Sequence, residues 1–252
     1  MSRMNKAEEN NNKWFAGEPF ANGYKDAEFE NIAKGFLCGD VLEHGALSDK
    51  QRAIVILTTI TASGMYETVE KYAAAALRVG VSAAEIRETL IHCTPYVGME
   101  KVNLALRGAY KAFDKAGVAD AISEQGTVNE ATRFDDGLAV QQHICGDELI
   151  NNMRAAAPSE LKHIQDYLSA YCFGDFYTRK TLDLKMRELI TFCAIITLGG
   201  CEAQAKSHAA ANLRVGNTRE MLIGVVTQCL PFIGFPRTLN AISCIDSVTS
   251  QN

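Results

Sequence analysis

The sequence predicts an all-α fold built as a tandem duplication of one helical unit. Three observations carry this: a long internal self-match, apolar residues at helical spacing, and glycines where each helix should stop. Residues 72–98, YAAAALRVGVSAAEIRETLIHCTPYVG, lie over 208–234, HAAANLRVGNTREMLIGVVTQCLPFIG, with ten of 27 positions identical, where unrelated segments would share one or two. Gly39-Asp40, Leu47 and Arg52 pair in the same way with Gly174-Asp175, Leu182 and Arg187. A period of this length is a domain duplication, because solenoid repeats run at roughly 20 to 50 residues. Alternating β-branched patterns of the kind strands need are absent.

Taken in order, residues 1–24 (beginning MSRMNKAEENNNKWF) are polar and Asn-rich and read as an N-terminal arm, frayed or docked. The first repeat is expected over 25–117, a small and polar linker over 118–134, and the second repeat over 135–252. In the first repeat Gly80 ends one helix, and Ser82-Ala83-Ala84-Glu85 is a capping box that opens the next. In the second, Leu182 to Leu198 is apolar on most positions, as a buried helix is, and Gly199-Gly200 stops it. A further helix runs from about Cys201 to Val215, with Gly216 as its stop. Pro95 and Pro231 break the third helix of each repeat, and the Tyr-Val-Gly and Phe-Ile-Gly that follow mark a bend before the last.

The bulk properties exclude several function classes. A chain of 252 residues with 47% hydrophobic content can bury a sizeable core. A formal net charge of -5, with basic residues scattered along the sequence, provides no footprint for nucleic acid or for an anionic membrane. The N-terminus lacks the apolar core of a secretion signal, and the longest uncharged runs fall short of the roughly 18 to 20 residues a bilayer requires. The expected location is the cytoplasm. Eight cysteines without a CxxC pair are expected to be mostly buried, reduced, small hydrophobes. No metal or nucleotide motif is present, so no metal or cofactor is expected. His44, His92, His143 and His163 read as single histidines without ligand-spaced partners.

The chemistry-bearing residues gather in the second repeat. Helical rise places Glu188 about 17 Å before the glycine turn and His208 about 12 Å beyond it, so an antiparallel hairpin brings them nearly level. A carboxylate that fixes the tautomer of an imidazole in an apolar wall is an arrangement suited to general acid–base catalysis. Cys201 follows Gly-Gly at a helix start, where unpaired N–H groups and the helix dipole favour an anion, which makes it the candidate reactive thiol. It stands about 10.5 Å from His208 along the axis, and the residue one turn from His208 is Gln204. Ala53, Met65 or Tyr66, and Tyr72 replace Glu188, Cys201 and His208 in the first repeat, which is expected to be catalytically silent.

The runs R-E-L-I-T-F-C-A-I-I-T-L-G-G from Arg187, C-E-A-Q-A-K-S-H-A-A-A-N-L-R-V-G from Cys201 and L-P-F-I-G-F-P-R-T-L-N-A from Leu230 resemble the core of the carboxymuconolactone decarboxylase superfamily. That superfamily includes gamma-carboxymuconolactone decarboxylase and the alkyl hydroperoxidase D type proteins. The resemblance covers roughly 200 residues. It implies an all-helical subunit, a homotrimer imitating the hexamer of single-copy relatives, and acid–base roles for Glu188 and His208. Its peroxidase branch carries C-x-x-C-x-x-x-H, whereas here the cysteine nearest the histidine is Gln204, so the sequence stands closer to the decarboxylase pattern.

The leading expectation is therefore acid–base chemistry, decarboxylation or a related lyase reaction, on a small organic acid or lactone. His208 would be the acid–base, Glu188 its orienter, and Arg187 or Arg214 a holder of a carboxylate, with Gln204 in support. Two alternatives stand beside it: a thiol-dependent peroxidase acting through Cys201, and a non-enzymatic oligomeric binding protein.

Overall fold

A computed structural model describes residues 1–19, 26–119 and 122–249, and among these every regular element is helical. The first half runs α1 (Arg3–Phe15), α2 (Ala27–Lys34), α3 (Asp49–Ser63), α4 (Val69–Arg78), α5 (Ala83–His92), α6 (Thr94–Val97) and α7 (Met99–Ala116). The second runs α8 (Arg133–Cys145), α9 (Asp147–Ala156), α10 (Lys162–Tyr167), α11 (Leu184–Leu198), α12 (Glu202–Arg214) and α13 (Arg219–Thr249). Two wide turns with i→i+5 bonding, Gly35–Val41 after α2 and Leu168–Tyr177 after α10, match each other in the two halves.

The expected stops are where the chain turns. Ser82 and Glu85 form a reciprocal capping box at the start of α5. Asp183 caps α11 by accepting from the Met186 amide, so this helix starts two residues later than Leu182. Gly98 (φ 90°) and Gly234 (φ 72°) make the bends that follow the two prolines, in a region of backbone closed to most side chains. The second bend divides α13, an otherwise continuous apolar stretch long enough by length and composition alone to cross a membrane. Its portion before Gly234 is only about 22 Å long.

The repeated unit is one helix longer than the sequence self-match. Arg3 of α1 pairs with Asp40 at 2.7 Å, and Arg133 of α8 pairs with Asp175, its Nε 2.9 Å from Oδ1. Beside these pairs a Cβ on Gly39 would lie 2.8 Å from the Arg3 carbonyl, and one on Gly174 would collide with the Arg133 carbonyl. The arm expected over 1–24 therefore contains the opening helix of the first repeat, docked by buried Trp14 and Phe15. The linker expected to reach 134 ends inside α8. Few apolar residues and a run of asparagines hid α1, because it is held by tertiary packing and by ion pairs of Arg3, Lys6, Glu8 and Lys13.

The two halves interlock through α3 and α11. Ile190 and Ala194 of α11 sit in the core of the first half, while Leu47 and Val55 sit in that of the second. All eight cysteines are free thiols, with Cys145 and Cys201 partly exposed and the rest buried.

Candidate active site

The hairpin of α11 and α12 brings Glu188 and His208 together, with Nδ1 of His208 2.9 Å from Oε2 of Glu188. Asn212 holds the two helices in register by donating to the Glu188 carbonyl at 2.9 Å and to the His208 carbonyl at 2.7 Å, and Asn217 in turn donates to Asn212 at 2.8 Å. Glu188 is fully buried, whereas the His208 ring is 17% exposed. A carboxylate can only accept, so His208 carries its proton on Nδ1. Nε2 is left as the atom that can take or give a proton.

Behind Glu188 lies a chain of hydrogen bonds whose directions follow by elimination. Arg187 can only donate, so its Nη1, 3.2 Å from His92 Nδ1, makes that nitrogen the acceptor and puts the His92 proton on Nε2. Nε2 then donates to Thr191 Oγ1 at 3.1 Å. The Tyr177 hydroxyl donates to Glu188 Oε1 at 2.6 Å and so accepts from Thr191 at 2.8 Å and from Tyr96 at 3.0 Å. Burial, reinforced by the Arg187 charge, holds the His92 pKa well below the usual imidazole value, so the ring is neutral. Burial also draws Arg187 down to about 10, which leaves it cationic at neutral pH. A fixed chain of dipoles thus runs from a buried cation to the carboxylate that orients His208.

Sequence reasoning set His92 aside and did not single out Tyr96, Tyr177 or Thr191. Two of these, His92 and Tyr96, come from the first repeat, and Tyr177 comes from the second wide turn. A signal was nevertheless present in the self-alignment. Tyr177, Thr191, His92 and Tyr96 stand over Leu42, Ile56, Gln228 and Phe232, so at each matched pair only one of the two positions carries the hydroxyl or imidazole. At the matching place in the first repeat Tyr72 stands where His208 is, packs edge-on against Phe15 and Phe232, and has its hydroxyl pushed far above its usual range by burial.

His208 opens onto a cleft of about 680 Å³ bounded by Tyr96, α8, α9, α10, the second wide turn and α12. Cys201 and Gln204 line it with His208, as the helical spacing requires. Cys201 caps α12 without a side-chain cap bond, and its thiol points at the Gly199 carbonyl, 3.5 Å away. Two further thiols line the same cleft, but burial pushes Cys145 to about 11 and Cys172 to about 12, leaving both protonated at neutral pH. The two arginines considered as carboxylate holders are not among the lining residues. Arg187 is fully buried and gives its other donors to the Leu182 and Arg179 carbonyls, and Arg214 donates to the Ile144 carbonyl at 2.6 Å. No group of three or more potential metal ligands occurs among the described residues.

Known proteins show the same frame. The Carboxymuconolactone decarboxylase family profile matches residues 31–111 and 162–246. A 4-carboxymuconolactone decarboxylase from Acinetobacter baylyi is 27% identical over 121 residues, 48% of this chain and 90% of the relative. A solved structure described as a gamma-carboxymuconolactone decarboxylase subunit from Burkholderia xenovorans superposes with a TM-score of 0.55 at 15% identity, covering 100% of this chain and 99% of that one. With its two matched regions spanning most of its length, the chain belongs to the carboxymuconolactone decarboxylase family.

Proposed function

We propose that this protein is a cytoplasmic enzyme that transfers protons at a carbon next to a carbonyl, by decarboxylation or a related lyase reaction, on a small organic acid or lactone. The observation that carries this is the Glu188–His208 pair, its carboxylate buried and its imidazole open to the cleft. In decarboxylation the bonding pair left behind by CO2 spreads onto the adjoining carbonyl oxygen. It returns to carbon as a C–H bond when His208 delivers the proton from Nε2, and solvent then restores that proton. In the related lyase direction, neutral His208 takes the proton from that carbon at Nε2, and the released electron pair forms a double bond as the bond to a leaving group on the next carbon breaks. The name of the Acinetobacter relative is consistent with a substrate of this broad class.

A panel of lactone carboxylates and peroxides, run on variants, tests the proposal. His208→Ala should lose on the order of 10²-fold or more in turnover of a lactone substrate, whereas Cys201→Ser, which preserves size and polarity, should retain most of it. Peroxide consumption abolished by Cys201→Ser, with a sulfenic acid or mixed disulfide on Cys201 as a competent intermediate, would overturn the proposal.

A further inference from the structure

Gln141 of α8 lines the cleft over His208 yet is only 2% exposed, so its place is set within the chain whatever covers the cleft mouth. Its orientation follows by elimination. Arg154, anchored by Asp166 at 2.5 Å, can only donate, so its Nη1, 3.1 Å from Ser169 Oγ, finds an acceptor there. The Ser169 hydroxyl proton is thereby turned to Gln141 Oε1 at 2.7 Å, the usual length of an O–H···O bond. The amide oxygen faces Ser169, and the two N–H donors on Nε2 have no hydrogen-bond partner among the described residues. Unpaired donors on a buried side chain are costly, and a cleft is where a ligand supplies the acceptor. The donors of Arg154, Ser169 and Gln141 point the same way, from a guanidinium toward the cleft, and a chain so aligned presents its positive end to an anionic oxygen.

The first repeat shows the alternative. Asn11 of α1 stands over Gln141 at the interval that sets Arg3 over Arg133, and Lys34 stands over Ser169. Lys34 is drawn to Glu8 at 2.9 Å, the buried amide oxygen of Asn11 has no partner, and the Asn11 Nδ2 donates to the Glu18 carbonyl at 3.3 Å. That half uses its amide donor within the chain, whereas the half with His208 leaves it to the cleft.

We infer that Gln141 is a ligand-binding residue, whose Nε2 donates to a carboxylate oxygen of a small organic acid or lactone carboxylate in the cleft. This deepens the acid–base reading and rests on it only for which end of the ligand faces His208.

The test titrates the full chain, labelled with ¹⁵N on its glutamine amides, with 5-oxotetrahydrofuran-2-carboxylate at neutral pH. Its counterpart is gamma-butyrolactone, the same ring without the carboxylate. The side-chain signal of Gln141 is assigned by its absence from Gln141→Met and from Gln141→Glu, the second of which preserves the acceptor of Ser169. That signal should move with the carboxylate and follow its binding curve, and gamma-butyrolactone should leave it in place. By calorimetry Gln141→Met should weaken binding of the carboxylate on the order of ten-fold, as loss of a hydrogen bond to a charged group does. The change nearly conserves volume, and Ser169 retains the Gln165 carbonyl, 3.3 Å away, as an acceptor, so the fold should persist. A Gln141 signal that stays still while the carboxylate binds, or an equal response to gamma-butyrolactone, would overturn the inference. So would unchanged affinity in Gln141→Met, or no binding of the carboxylate by wild type. The signal is read without turnover and should persist in His208→Ala, so failure of the acid–base reading leaves it untouched. A still signal beside His208-dependent turnover would sink this inference alone.

Discussion

Tyr177 is the residue on which the site converges, since its hydroxyl joins Glu188 to Thr191 and Tyr96 within 3.0 Å. Tyr177→Phe removes a donor to a buried carboxylate and leaves two hydroxyls without their acceptor. It should cost about 1.5–3 kcal/mol of stability in denaturant unfolding, and turnover should fall in parallel. His92 gives a pH signature. Its folded pKa lies below the ordinary 6.5, so in acid the unfolded chain binds a proton that the folded chain refuses. Stability should therefore be full above about pH 6.5 and fall as pH drops below it, by up to about 1.4 kcal/mol per pH unit from this group. His92→Gln, which copies Gln228 of the second repeat, should flatten that slope in unfolding curves taken between neutral and mildly acidic pH. The Glu188–His208 pair was legible because both residues lie on one hairpin, where helical rise fixes their level. The remaining members were not, because they reach Glu188 from the other repeat and from a wide turn, neither of which periodicity describes.

At the scale of elements, helix boundaries were legible wherever the backbone itself demanded a residue type. The Ser82–Glu85 box and Gly98 and Gly234 are such places. The wide turns were not legible, because what marks them is a close approach: Gly174 lets the backbone of α8 lie directly against the turn that carries Tyr177. Gly174→Ala should force the two apart, with a cost of about 1–3 kcal/mol in denaturant unfolding and a larger loss of activity than the same change at exposed Gly126, where a Cβ meets nothing. Tyr72 gives the converse test on α4. It packs in an aromatic cluster where the first site would be, so Tyr72→Phe should leave activity within a few-fold of wild type, and a loss comparable with that of His208→Ala would show that the first site works.

For the whole molecule, three pairs of exposed apolar residues repeat in register. Phe29 and Ile32 on α2 correspond to Ile164 and Tyr167 on α10, and Met99 corresponds to Phe235, each more than half exposed. A surface presented twice on one chain is suited to closed assembly, and the expected form is a trimer, near 80 kDa by light scattering for a 27.5 kDa chain. A stable monomer at micromolar concentration would refute it. The duplication and its helical class were open to self-comparison, while the packing of one half against the other was not, because the self-match says that two units exist and nothing of how they meet. That meeting has a further consequence. His92 and Tyr96 cross from the first repeat to serve His208, and Phe232 crosses back to Tyr72. In an assembly of identical separate chains, every inherited change strikes all sites at once, so no site can be given up without losing them all. Covalent fusion breaks that bond of symmetry: the two matched places can differ within a single gene, as Tyr72 and His208 do.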